Sequence, residues 1–147
     1  MIDRGLIGRE LGSRSIVVER GRLRFFAKVI GETNPVYTDE GAAKAAGHRA
    51  LPVPPTYLFC LEHEASESVS VSKIANLDQG RILHGEQQFT YHAMAYAGDT
   101  LTFEARIVDV YDKKGGALDF LVKETRVTNQ DGKHIADLRA TVVQRNG

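Results

Sequence analysis

The chain has 147 residues, of which 42% are hydrophobic and 26% charged, values typical of one globular domain. Basic and acidic residues number 19 each, so the formal net charge is zero and favours neither nucleic acid nor an anionic membrane as partner. The single cysteine, Cys60, excludes an intrachain disulfide, and no apolar run is long enough to predict a membrane span. We therefore expect one domain over residues 1–147, located in the cytoplasm.

The first third of the chain predicts a short strand at residues 15–18, a helix at 19–30 and a second helix at 40–46. Four apolar residues of the first helix recur at i, i+3, i+4 and i+7: Leu23, Phe26, Ala27 and Ile30. Gly31 is a typical residue at the end of a helix, and Asp39 is a typical N-cap. These segments predict a first helix with one apolar face and a short, Ala-rich second helix.

Residues 55–63 predict a central helix. Pro55 suits the first helical turn, where a missing amide hydrogen costs nothing. Residues 57–61 are apolar on nearly every face, which is typical of a buried helix. The serine-rich segment at 64–72 predicts a loop after it.

The rest of the chain has the alternation of strands. Four strands are predicted, at residues 81–92, 99–111, 118–129 and 134–144, with Gly-containing turns between them. Consecutive strands joined by short turns pair antiparallel. Residues 101, 103, 105 and 107 are apolar and alternate with polar neighbours, so one sheet face is covered. A buried helix followed by such a sheet predicts an α+β, single hot-dog domain, with the antiparallel sheet wrapped around a central buried helix.

Three segments of the sequence carry a family resemblance: residues 26–39, residues 50–57, and residues 81–92 with Gly98-Asp99 downstream. Their order and spacing resemble the MaoC-like (R)-specific hydratase/dehydratase family, in the FAS1-type branch related to the N-terminal half of double-hot-dog enzymes. Active members of that family add water to a trans-2-enoyl thioester or remove it from an (R)-3-hydroxyacyl thioester. The thioester is carried on coenzyme A or on acyl carrier protein.

The resemblance also implies site residues. The family's catalytic Asp and His, five residues apart, correspond here to Glu32 and Tyr37. The resemblance implies five substrate-binding residues: Asn34, Thr56, Tyr57, His84 and Gly85. The ordinary pKa of a phenol is about 10, so a tyrosine is a poor base at neutral pH.

The entry to the central helix also departs from the family pattern. Pro54 and Pro55 have no amide hydrogen to offer a thioester carbonyl, so the amides of Thr56 and Tyr57 are the remaining donors.

Some members of this family work as pairs of hot-dog subunits, of which one carries the Asp/His dyad and the other shapes the acyl site. The resemblance to the second kind predicts a hydratase/dehydratase subunit whose partner, a second hot-dog chain, supplies the dyad in a heterodimer. The sequence leaves a homodimer open as the other assembly. Three alternatives remain: a self-sufficient homodimer that uses Glu32 with His84 or His92, an acyl-CoA thioesterase, and a non-enzymatic acyl-thioester binder.

Simpler structural interpretations stand beside these. Residues 32–35 are typical of a turn, Tyr37 of a packed aromatic residue, and Cys60 of a buried inert thiol. His84, Glu86 and His92 alternate along one strand, but neighbours at i and i+2 are about 6.5–7 Å apart. We therefore expect neither a metal site nor a cofactor.

Overall fold

The computed structural model describes residues 1–65 and 71–147 of the chain. Its strands are β1 Glu10–Val17, β2 Ile82–Tyr91, β3 Thr100–Lys113, β4 Leu118–Thr128 and β5 His134–Arg145. Its α-helices are α1 Arg20–Val29, α2 Glu40–Ala45, α3 Tyr57–Ala65 and α4 Val71–Ile74. Short 3-10 turns lie at Arg4–Leu6, Pro35–Tyr37 and Gln79–Arg81.

The loop predicted at 64–72 is replaced at both ends by helix. Residues 64–65 are the last of α3, and residues 71–72 begin α4. The remaining residues of that prediction, 66–70, lie outside the described residues.

The strands form one antiparallel sheet in the order β1-β3-β4-β5-β2. The expected pairing of consecutive strands is confirmed for β3 with β4 and for β4 with β5, but it is wrong for β2, which pairs with β5. The reason lies in the segment between β2 and β3, where Tyr96 forms an isolated bridge with Pro52. The Val53 amide also donates to the Ala95 carbonyl (2.9 Å). The chain therefore crosses to the start of α3 instead of turning back beside β2.

Helix α3 packs against the sheet and forms the centre of the core. Leu58 and Leu61 are almost fully buried, in one cluster with Leu101 and Phe103 of β3 and Leu138 of β5. Burying each such side chain contributes about 1.5–3 kcal/mol. The structure confirms the hot-dog fold that the sequence predicts.

The ends of the first two helices follow local chemistry. Gly31 has φ +72°, a conformation that favours glycine, and the next amide, that of Glu32, donates to the Ala27 carbonyl (2.9 Å). The Asp39 carboxylate accepts the Ala42 amide (2.6 Å), which confirms Asp39 as the N-cap of α2. Among the described residues, no helix has the length and apolar character needed to cross a membrane.

Candidate functional site

The segment between α1 and α2 holds Glu32, Asn34 and Tyr37 in a compact turn. The Glu32 carboxylate accepts the Asn34 amide (2.8 Å), and the Asn34 side-chain oxygen accepts the Val36 amide (3.2 Å). The Tyr37 amide donates to the Asn34 carbonyl (3.3 Å), which closes the 3-10 turn. In this single chain, the Glu32 carboxylate therefore caps a backbone turn.

The phenol of Tyr37 lies near a second phenol, that of Tyr91 at the end of β2. Burial, together with the nearby Tyr37, raises the pKa of Tyr91 to about 12. Tyr91 therefore stays protonated at neutral pH and can donate a hydrogen bond, but it cannot serve as a base. The backbone beside Tyr37 is anchored to α1, because the Arg24 side chain donates to the Thr38 carbonyl (2.8 Å).

The start of α3 offers fewer amide donors than the sequence suggests. The Tyr57 amide donates to the Pro54 carbonyl (3.0 Å), so it is already engaged inside the chain. The Tyr57 ring is buried and lies 4.7 Å from the Phe26 ring, centroid to centroid. The sequence predicts two amide donors here, those of Thr56 and Tyr57. Thr56 is exposed, and the bond to Pro54 leaves its amide unused.

A cavity of about 300 Å³ lies beside the second half of α3. Its apolar lining includes Val71, Leu77, Ile82, Ala140 and Val142. Its polar lining includes Glu62, Lys123 and His84. Of the seven site residues predicted from the sequence, His84 is the one that lines this cavity among the described residues.

Glu62 is a buried carboxylate in helix α3, with 3% of its surface exposed. Its Oε1 accepts hydrogen bonds from Lys123 Nζ (2.6 Å) and from the Thr125 hydroxyl, both on β4. The Lys123 side chain is itself only 14% exposed. This ion pair joins the central helix to the sheet and places charge in the wall of the cavity.

A β-bulge sets the direction of His84. The register of β2 against β5 shifts between His84, which pairs with Val142, and Glu86, which pairs with Thr141. Since Val142 and Thr141 are consecutive, His84 and Glu86 point to opposite faces of the sheet. The predicted alternation of His84, Glu86 and His92 on one face is therefore wrong.

Gly85 occupies the bulge for a packing reason. A Cβ at this position would lie 2.7 Å from Val143 Cγ2 and 3.2 Å from the Thr141 carbonyl oxygen. Only a glycine fits this close approach of β2 to β5. Gly85 thereby lets His84 reach the cavity, where its ring lies 5.3 Å from the Phe59 ring.

The structure brings together two separate sets of charged residues that the sequence analysis did not associate. His92 lies with His134 and Asp137, although it was considered with His84 and Glu86. Arg49 forms an ion pair with the buried Asp99 carboxylate. Both groups depend on contacts between segments distant in the chain, which no local pattern shows. Glu62 did give a signal, since this charged residue directly follows the apolar run at residues 57–61 of the central helix.

Cys60 lies on the central helix and is partly buried. Burial raises the pKa of its thiol, so the thiol is protonated at neutral pH and is a weak nucleophile. This agrees with the interpretation of Cys60 as an inert residue.

A family model described as "FAS1-like, dehydratase domain region" matches residues 5–138. The chain belongs to this family. A UPF0336 protein of Streptomyces coelicolor is 34% identical over 145 residues, which are 98% of this chain and 95% of that protein. The FAS1-like membership confirms the resemblance to MaoC-like proteins that the three sequence segments indicate.

Solved structures of similar fold include two complexes from Mycobacterium tuberculosis. A chain of the HadBC (3R-hydroxyacyl-ACP dehydratase) complex has a TM-score of 0.78 at 24% identity, over 93% of this chain and 96% of that one. A chain of the ChsH1-ChsH2 complex has a TM-score of 0.76 at 21% identity, over 94% and 86%. At these identities the likeness shows that the FAS1-like chain shares their hot-dog fold.

Proposed function

We propose that this chain is one subunit of an (R)-specific enoyl-thioester hydratase/3-hydroxyacyl-thioester dehydratase, in which a partner hot-dog chain supplies the Asp/His dyad. The observation that carries the proposal is Tyr37, a phenol in the position of the family's histidine. The chemistry requires a group that exchanges protons near neutral pH, and a free phenol does not do so. Glu32, the other half of the pair, caps the Asn34 amide in the isolated chain.

The edge of the sheet supports a pairing partner. β2 is an edge strand of ten residues, and its side chains Leu83 and Tyr91 are 52% and 45% exposed. An open edge with exposed apolar side chains is a template for pairing with another strand. The proposal is that β2 pairs with an edge strand of the partner to form one continuous sheet. Two fold neighbours, HadBC and ChsH1-ChsH2, are complexes of two named subunits.

The cavity beside α3 suits the acyl group of the substrate. It is mainly apolar, and its volume of about 300 Å³ lies at the small end of the range for ligand pockets. Thr56 and Glu62 are six residues apart, or about 9 Å along a helix axis. The acyl chain of a thioester whose carbonyl lies near the Thr56 amide would need to span about this distance to enter the cavity that His84 lines. The proposed substrate carrier is coenzyme A or acyl carrier protein, in the cytoplasm.

The test is the hydration of crotonyl-CoA, followed by the loss of enoyl absorbance. The purified chain is assayed alone and after coexpression with a hot-dog subunit from the same genome that carries the Asp/His dyad. We expect no turnover by the chain alone, and faster turnover by the pair than by the partner alone. Turnover by the chain alone would overturn the proposal in favour of a self-sufficient homodimer. Release of free thiol would instead indicate a thioesterase, and saturable binding without turnover in both preparations would indicate a binder.

A second experiment tests the β2 edge. Leu83→Glu places a charge on β2, and Val17→Glu places the same charge on the opposite edge strand β1, where Val17 is 54% exposed. We expect Leu83→Glu to weaken assembly in analytical ultracentrifugation, while Val17→Glu leaves it unchanged. Equal effects of the two variants would exclude β2 as the specific interface.

A further inference from the structure

A cluster of two histidines and one aspartate lies at the end of β2 and the start of β5. His92 Nε2 is 2.7 Å from Asp137 Oδ2, and His134 Nε2 is 2.9 Å from Asp137 Oδ1. The two imidazole rings lie 4.2 Å apart, centroid to centroid. One nitrogen of each ring and one carboxylate oxygen therefore converge within 4.8 Å of one another.

Backbone pairing holds the three side chains in place. Asp137 pairs with Thr90 of β2, and the His92 amide donates to the Ile135 carbonyl (2.8 Å). The register of β5 against β4 is irregular at His134, which pairs with Thr128 while Ala136 pairs with Val127. The extra residue brings His134 to the same side as Asp137, three positions on. Ligands carried on paired strands are more precisely positioned than ligands on loops.

The local charge suits a cation. The Asp137 carboxylate accepts one hydrogen bond from each histidine, on Oδ2 from His92 and on Oδ1 from His134. Two arginines are nearby: Arg139 is paired with Glu124, and Arg126, the cross-strand neighbour of Asp137, is exposed to water. Asp137 therefore presents both carboxylate oxygens to the two imidazoles, and solvent screens the Arg126 charge.

From this convergence of donors we infer that His92, His134 and Asp137 form a binding site for a first-row divalent cation of the Zn²⁺ class. Neutral imidazole and carboxylate are the donors that Zn²⁺, Co²⁺ and Ni²⁺ accept. Each imidazole would bind through Nε2, the nitrogen that donates to Asp137 without the cation. A neutral ring therefore shifts to the tautomer protonated at Nδ1, and an imidazolium releases its Nε2 proton to solvent. Zn–N and Zn–O bonds of about 2.0–2.2 Å separate tetrahedral ligand atoms by about 3.4 Å. The hydrogen-bonded pairs, at 2.7 and 2.9 Å, therefore open by about 0.5–0.7 Å, which side-chain rotation supplies.

Three protein ligands leave at least one position for water. The cation would link the end of the edge strand β2 to β5 in place of the two hydrogen bonds. This site lies outside the cavity beside α3, and its existence does not depend on the proposed hydratase function.

The test is a titration of the chelator-treated, metal-free protein with ZnCl₂ by calorimetry, and with CoCl₂ by visible absorbance. We expect one cation per chain with a Kd of about 10 μM or tighter, and a Co²⁺ spectrum typical of nitrogen and oxygen ligands. Asp137→Asn and His134→Gln should each weaken binding by about tenfold or more. Glutamine retains a donor for Asp137, so the fold is preserved, and circular dichroism verifies this.

The matched control is His63→Gln, which removes an exposed histidine whose Nδ1 donates to the Phe59 carbonyl (2.8 Å), outside the cluster. This variant should bind Zn²⁺ as the unmodified chain does. Failure to bind one cation per chain at a Kd below about 100 μM would overturn the inference. Equal binding by the Asp137→Asn and unmodified chains would also overturn it, because the cation would then lie elsewhere.

Discussion

Two carboxylates, Glu32 between α1 and α2 and Glu62 in α3, differ in burial and in hydrogen-bond partners. Glu32 lies in a surface turn and accepts one backbone amide, whereas Glu62 is buried and accepts hydrogen bonds from Lys123 and Thr125. The sequence motif singles out Glu32, but the cavity wall contains Glu62. The comparison shows that the family motif and the cavity wall hold their carboxylates in two different environments, a surface turn and a buried ion pair.

The largest expected effect is that of Glu62→Leu. The substitution leaves Lys123 as an unpaired, largely buried charge, which typically costs about 3–5 kcal/mol of unfolding free energy. Urea unfolding measures this loss. The double variant Glu62→Leu/Lys123→Met removes both charges and should recover most of the stability. If the double variant stays as unstable as Glu62→Leu, the loss does not come from leaving the Lys123 charge without a partner, and the ion pair itself stabilises the fold.

Asp99→Asn should have the next largest effect. The Asp99 carboxylate is 1% exposed, and it accepts hydrogen bonds from Arg49, from the Tyr96 amide (2.9 Å) and from Gln130 (3.1 Å). We expect a loss of about 2 kcal/mol at pH 7, because these bonds lose their charged acceptor. Thermal or urea unfolding measures it.

The same carboxylate gives a pH dependence. Burial raises the pKa of Asp99, but the hydrogen bonds from Arg49, Tyr96 and Gln130 outweigh burial and hold the pKa below its ordinary value. Its stabilising contribution is therefore complete above the unfolded pKa of about 3.9, and it is lost as the pH falls through the folded pKa. The Asn variant should lack this component of acid destabilisation. Parallel stability curves for the two proteins below pH 4 would contradict the assignment.

Gly85→Ala tests the bulge that directs His84 into the cavity. The added Cβ would lie 2.7 Å from Val143 Cγ2, so β2 or Val143 must shift at a cost of about 1–3 kcal/mol. Gly80→Ala is the control, because its Cβ would have an ordinary contact of 3.4 Å with the Asp78 carboxylate. Equal stability of the two variants, by urea unfolding, would remove the packing requirement at Gly85.

Periodicity and turn residues predict most of the fold, because they are local properties. Helix α1 and the four later strands follow from the spacing of apolar residues, whereas α2, α3 and the Asp39 cap follow from residue types at their ends and from the apolar run at 57–61. The pairing of β2 with β5 does not, since the crossing segment near Tyr96 forms its contacts with residue 52, far away in the chain. The alternation of apolar and polar residues within β2 also cannot show that this strand lies at the edge of the sheet with one side unpaired.

The candidate site divides in the same way. The sequence identifies Glu32, Asn34 and Tyr37 as one segment, and the structure shows how their hydrogen bonds close it. The cavity joins residues of α3, α4, β2, β4 and β5, so its lining depends on tertiary packing. The bulge at Gly85 is equally invisible in the sequence, because one extra residue reverses the face of every position that precedes it.

The smallest expected effect is on the carboxylate that the motif singles out. Glu32→Gln keeps the oxygen that accepts the Asn34 amide, so stability should change by less than about 0.5 kcal/mol.

The central claim is that Glu32 and Tyr37 do not transfer the reacting protons. The most direct measurement is kcat for crotonyl-CoA hydration by the reconstituted two-subunit enzyme carrying Glu32→Gln or Tyr37→Phe. The account predicts kcat within about twofold of the unmodified enzyme. A fall of about 10²–10⁴-fold, the usual loss when a general acid or base is removed, would contradict it.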